Sequence, residues 1–105
     1  MIRIKDNTVS IKGLKVEMIF ALAVLEGVFD SYALPTVITA GTEGQVGDGV
    51  HMDTSKHYYG EALDIRKRQV PKSALATFVA KMRKHLGSDF EVIAHKTHFH
   101  IETSG

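Results

Sequence analysis

The sequence predicts an α+β domain with a small, mainly antiparallel sheet and two helices. Two stretches carry apolar residues at helical spacing, and several short runs are rich in the β-branched and aromatic residues typical of strands. Helices and strands do not alternate strictly, which favours this class over a doubly wound parallel sheet. The length of 105 residues indicates a single domain spanning residues 1–105.

Both helices are predicted from apolar periodicity together with the residues at their ends. The first has its first apolar position at Leu14 and is expected to end at residues 30–31, before Pro35. The second begins near Pro71, which suits a first helical turn, and stops before Gly87. Each helix therefore has an apolar stripe that can cover one face of a sheet.

The strands are predicted from short runs of strand-forming residues separated by turn signals. Two alternating runs around Asp6 and Asn7 predict an N-terminal β-hairpin, and the last two runs predict a second, antiparallel hairpin. Residues 41–53 are rich in glycine and form a loop, but no Gly-Lys-Ser/Thr follows as in phosphate-binding loops. The predicted strand segments are 3–5, 8–11, 36–40, 62–66, 90–94 and 97–102.

Composition and charge exclude several classes of function. The formal net charge is +1, from 13 basic and 12 acidic residues, so a nucleic-acid partner is not expected. Cysteine is absent, which excludes a thiolate nucleophile or ligand. The most apolar stretch, residues 18–28, is too short to span a bilayer, so no membrane partner is expected. The N-terminus lacks the apolar core of a signal peptide, which indicates synthesis in the cytoplasm.

The histidines cluster in two short segments, and this clustering is the main indication of function. Five of the six histidines lie in or beside residues 55–64 and 98–100, and Asp64 adds a carboxylate. Three nitrogen and oxygen ligands with an open fourth position are typical of a catalytic zinc site. The five clustered histidines are His51, His57, His95, His98 and His100.

The expected local structure allows these side chains to meet. A loop that turns at Gly60 before entering a strand brings His57 and Asp64 towards one ion. His98 and His100 share one face of the last strand, because strand side chains repeat every two residues. One of these two imidazoles can bind the metal while the other lies beside the open position. The same parity places His95 off that face.

The alternatives to a metal site are ordinary polar roles. A single histidine in a strand is usually a satisfied polar residue, and His-x-His alone is weak evidence of metal. Asp64 is a stronger signal, because a carboxylate in an otherwise apolar strand is costly to bury without a cation or hydrogen-bond donors. Arg66, on the same strand face, is the alternative partner for that carboxylate.

The two segments combine into one pattern: Ser55-x-His57-x-x-Gly60-x-Ala62-x-Asp64, followed by His98-x-His100. Over roughly residues 36–102 the chain resembles the zinc D-Ala-D-Ala carboxypeptidase superfamily. That superfamily includes phage endolysin peptidases that cut L-Ala-D-Glu bonds, D,D-dipeptidases and the hedgehog signalling domain. The resemblance implies a hedgehog/DD-peptidase-like fold and one zinc ion (Zn2+) per chain, held by His57, Asp64 and His100.

The chain departs from the superfamily pattern in two places. Residues 40–44 contain no Arg, whereas many family peptidases have one there that helps bind substrate. Residues 94–97 offer His95 where many members place an acidic general base, and some members use the position of His98 near the reacting centre. The catalytic group that accepts the water proton or stabilises the oxyanion is therefore expected to be His98 or His95.

Substrate contacts are expected from the segment around the first ligand. His51 resembles a histidine that hedgehog-type members carry six residues before that ligand, and it is expected to line the cleft or to donate to the tetrahedral intermediate. Tyr58 is expected to hydrogen-bond substrate, whereas a packing role is favoured for Tyr59.

The leading interpretation is a zinc peptidase acting on peptidoglycan stem peptides. Its specificity would be of the D-Ala-D-Ala carboxypeptidase or L-Ala-D-Glu endopeptidase type, and a phage lysin, made in the infected host or carried by the virion, suits it. The expected state is a monomer. The alternative is a non-catalytic, zinc-stabilised binding domain of the same fold. A small structural phage protein without metal would require the clustered histidines to be a coincidence.

Overall fold

All but one of the strand pairings in the computed structural model are antiparallel, which confirms the predicted α+β class. The structure describes residues 1–44, 47, 49 and 55–105, and within them the strands form one five-stranded sheet of order β1-β2-β3-β5-β4. Short 3-10 helices occupy Lys56–Tyr59 and Lys72–Ala74. The elements are β1 (Ile2–Ile4), α1 (Val16–Asp30), β2 (Thr36–Ala40), β3 (Ala62–Arg66), α2 (Leu75–Leu86), β4 (Phe90–Ala94) and β5 (His98–Thr103).

The hydrophobic core lies between the two helices and one face of the sheet. Phe29 of α1 packs edge-on against Phe78 of α2, with ring centroids 4.7 Å apart, and Phe78 stacks on Phe99 of β5 at 5.8 Å. Leu63 and Ile65 of β3 are fully buried in the same core. Side chains alternate along each strand, so the residues between these core positions face the opposite side of the sheet. That opposite side carries Asp64 of β3 and the histidines His98 and His100 of β5.

Neither described helix has the length and apolarity needed to cross a membrane. α1 begins at Val16, two residues after the first apolar position, and Leu14 packs against the core from outside the helix. Pro71 precedes the 3-10 turn that leads into α2, and Gly87 follows α2 as expected.

The predicted N-terminal β-hairpin is wrong. β1 pairs in parallel with β2, and residues 8–11 lie outside the strands. A two-residue hairpin turn usually needs positive φ, yet Asn7 lacks it, since Ala33 is the one non-glycine with positive φ among the described residues. Instead, the Asp6 carboxylate accepts from the Thr8 N–H at 2.9 Å, and the chain turns away from the sheet.

Gly60 joins the 3-10 helix Lys56–Tyr59 to β3 in a conformation that other residues rarely adopt. Its φ is 72°, and a Cβ at this position would lie 2.3 Å from the Gly13 carbonyl oxygen. Its own carbonyl accepts from the Lys15 N–H at 3.0 Å, so the N-terminal segment approaches closely here. The turn at Gly60 is the one that the sequence predicts.

Gly60→Ala is therefore expected to destabilise the protein. Left-handed strain alone costs about 1–3 kcal/mol, and the clash with Gly13 adds to it. Gly13→Ala is the matched control, because Gly13 has a φ of 79° but nothing within 4 Å of its added Cβ. Urea denaturation of both variants measures the difference in free energy of unfolding. Equal losses in the two variants would show that the close approach at Gly60 adds no cost.

Candidate metal centre

His57, Asp64 and His100 meet on the side of the sheet opposite the core. One ligand atom from each lies within 4.8 Å of the other two. The Asp64 Oδ1 atom is 2.8 Å from His100 Nδ1 and 3.3 Å from His57 Nε2. His57 is 4% exposed, and the Asp64 and His100 side chains are 15% exposed. Most of the cluster is thus shielded from water.

Two strands and one short helix position the three side chains. Asp64 of β3 and His100 of β5 are direct partners in the antiparallel register, so their side chains lie side by side. His57 comes from the 3-10 helix Lys56–Tyr59, whose first turn is capped by the Ser55 hydroxyl, an acceptor for the His57 N–H at 3.1 Å. Gly60 then turns the chain into β3, so that Asp64 lies beside His57.

In His57 and His100, the ring nitrogen that points away from Asp64, here called the outer nitrogen, lies at a hydrogen-bond acceptor. His57 Nδ1 lies 2.9 Å from the Gly41 carbonyl oxygen, which can only accept, so Nδ1 carries the proton and Nε2 faces Asp64. His100 Nε2 donates to Glu102 Oε1 at 2.8 Å, leaving Nδ1 to face Asp64. Lys56 Nζ pairs with the second oxygen of Glu102 at 3.3 Å. Histidines that bind metals typically donate their other N–H to a carbonyl or carboxylate in this way.

The inward-facing atoms of His57, Asp64 and His100 suit a cation between them. Hydrogen bonding to Asp64 raises the pKa of His100, because the carboxylate stabilises the imidazolium. Burial alone would raise the pKa of Asp64, but hydrogen bonds from His100 and His57 outweigh it and lower that pKa. Positive charge on the His100 imidazole thus stabilises the Asp64 carboxylate. A divalent metal ion bound by the three atoms supplies that charge directly, so this donor set fits a metal.

His98 lies beside the three candidate ligands on the same strand face as His100. Its Nε2 is 3.6 Å from Asp64 Oδ2, and the Thr97 hydroxyl is 3.0 Å from its Nδ1. Burial lowers the pKa of His98, and the neighbouring histidines lower it further against the opposing effect of Asp64. A neutral imidazole with a ring nitrogen able to accept a proton therefore stands next to the centre at neutral pH.

His95 is close to the centre but exposed. Residues 95–97 form the turn between β4 and β5, so strand parity does not apply to His95, contrary to expectation. Its backbone N–H donates to the His98 carbonyl at 2.9 Å and closes the hairpin. Its ring centroid lies 4.9 Å from that of His98 and 6.2 Å from that of His100.

The two tyrosines that follow His57 differ in their burial. Tyr58 is half-buried in the 3-10 helix next to His57. Tyr59 is 54% exposed, so the packing role favoured for it is wrong. His51 lies outside the described residues.

Glu102 and Gly41 support the centre, although sequence reasoning did not find them. A signal for Glu102 exists, since it follows His98 and His100 at the two-residue spacing of one strand face. The Gly41 carbonyl is a backbone atom, for which no side-chain type gives a signal.

The chain matches a protein-family model over most of its length. The family model described as Peptidase M15 matches residues 2–102, which include α1, α2 and all three candidate ligands. No curated protein and no solved structure shows a significant match to the chain.

Proposed function

Because the chain belongs to the peptidase M15 family, we propose that it is a zinc metallopeptidase that hydrolyses peptide bonds in peptidoglycan stem peptides. The observation that carries the proposal is the cluster of His57, Asp64 and His100, with both outer imidazole nitrogens already engaged. Among the described residues the cluster offers three candidate ligands, the number that catalytic zinc sites typically use.

The chain's own residues would divide the chemistry between them. Zinc held by His57, Asp64 and His100 would supply a Lewis acid and would lower the pKa of water to about 7. His98, whose Nε2 lies 3.6 Å from the Asp64 carboxylate, would accept a proton from the attacking water and return it to the leaving amine. Glu102 and the Gly41 carbonyl would hold the two ligating imidazoles in one orientation and one tautomer.

The proposal extends to specificity and biological role through the superfamily resemblance. The bond cleaved would be of the D-Ala-D-Ala or the L-Ala-D-Glu type, and the protein would act as a phage lysin. The two bond types differ in their products, since the first releases free D-alanine and the second exposes a new amino terminus on D-glutamate.

Elemental analysis and digestion of purified peptidoglycan test the function together. Protein purified without a His tag is expected to contain one zinc per chain and to release soluble fragments, whose masses identify the bond. Chelated protein is the control and should release none. Zinc binding without hydrolysis of any wall type would favour the non-catalytic binding domain instead. Hydrolysis that survives verified metal removal would contradict the metal-dependent chemistry.

A further inference from the structure

A groove lined mainly by cations lies beside the metal centre, next to the turn that joins β4 to β5. Its volume is about 840 Å³, and no acidic side chain is among its described lining residues. Val70 and Leu75 contribute apolar surface to it. Six cations line it, and one of them, Lys5, lies 3.9 Å from the Asp6 carboxylate. We call it the basic groove and define it by the other five, Arg66, Lys67, Arg68, Lys72 and Lys96.

These five cations have no carboxylate partner within the part of the chain that the structure describes. Lys67 is positioned by a hydrogen bond from its Nζ to the His95 carbonyl at 2.6 Å, but that contact leaves its charge unneutralised. The protein's net charge is only +1, so the concentration of positive charge is local. A cleft lined by one sign of charge attracts ligands of the opposite sign.

The basic groove reaches the metal centre through two side chains. His98 lines the groove and also lies 3.6 Å from Asp64. Arg66 is the direct partner of His98 in the β3–β5 register and lies two residues beyond Asp64 on the same strand face. An anionic ligand in the groove would therefore lie next to the candidate metal ligands.

We propose that the basic groove binds the acidic part of a peptide substrate, with Arg66 taking a carboxylate close to the bond that is cleaved. The identity of this ligand rests on the proposed function. A guanidinium suits a carboxylate because it can form two parallel hydrogen bonds to it. The apolar contribution of Val70 and Leu75 suits the aliphatic parts of such a peptide.

The test is binding of a fluorescent stem pentapeptide, L-Ala-γ-D-Glu-L-Lys-D-Ala-D-Ala, to the full chain as purified and after chelation. Arg66→Gln and Lys96→Gln are each expected to weaken binding about tenfold, the loss that follows from one charge-assisted hydrogen bond. Lys84→Gln is the matched control, because Lys84 is an exposed cation on α2. A peptide with both carboxylates converted to amides should bind about as weakly as the variants do.

Several outcomes would overturn this inference. Equal affinity for the free and amidated peptides, or an equal loss in Lys84→Gln, would remove the groove as a carboxylate site. Tighter binding of a single-stranded oligonucleotide than of the peptide would assign the groove to nucleic acid. Failure of the proposed function looks different, because charge-selective peptide binding would then persist without hydrolysis. Zinc content is measured in each variant, since Arg66 neighbours the candidate ligands.

Discussion

His57→Ala is expected to lose bound zinc and the part of the protein's stability that depends on metal. A ligand that binds only the folded state adds about 4 kcal/mol when its concentration exceeds Kd a thousandfold. For a domain of this size, that corresponds to a rise in melting temperature on the order of 20 °C. Adding chelator should lower the melting temperature of the wild type sharply and should leave His57→Ala unchanged. Elemental analysis and thermal denaturation with and without chelator provide the two measurements.

Glu102→Gln is the control for the loss of a ligand. The variant keeps all three ligating atoms, and the amide oxygen can still accept from His100 Nε2. Replacing such an outer partner typically costs about 10–100-fold in metal affinity, so this variant should bind zinc when zinc is in excess. Full zinc content and an unchanged chelator effect in His57→Ala would remove His57 from the ligand set.

His98→Ala is expected to keep zinc and the fold but to lose turnover by about 10²–10⁴-fold, the usual contribution of a general acid–base group. The reason is its position, since Nε2 lies 3.6 Å from Asp64 while the side chain makes no contribution to the core. His95→Ala is the comparison, and its effect should be smaller because His95 is exposed and its ring is further from that of His100.

Hydrolysis of purified peptidoglycan by both zinc-loaded variants decides between the two histidines. Full activity in His98→Ala together with loss in His95→Ala would reverse the assignment. A loss of zinc from His98→Ala would instead make His98 a part of the metal-binding set.

Local sequence patterns predicted three of the strands with the bounds that the structure gives them. The predicted segments 36–40, 62–66 and 90–94 coincide with β2, β3 and β4, since these runs are rich in β-branched and apolar residues that favour strands. The N-terminal hairpin failed because β1 takes its partner from a distance, with Ile2 opposite Thr36. Nothing in the first residues themselves encodes a parallel partner more than thirty positions away.

The candidate site could likewise be predicted only in part from the sequence. His57, Asp64 and His100 were identifiable because imidazole and carboxylate groups are characteristic metal ligands and their spacing is restrictive. His95 was a catalytic candidate from the resemblance, but strand parity placed it off the ligand face because parity does not account for the three-residue turn after β4. The basic groove was also not predicted, since Lys96 joins the cations of residues 66–72 only in the folded chain, whose net charge is near zero.

The position of β5 in the sheet has a consequence for when the protein can act during its own synthesis. β5 lies between β3 and β4, and it carries His98, His100 and Glu102. A growing chain that has not yet reached residue 98 possesses His57 and Asp64 but neither the third ligand nor the candidate base. Insertion of β5 completes both the sheet and the centre in one event. Any activity that depends on the completed centre would therefore be withheld from a chain that has not yet been synthesised as far as β5.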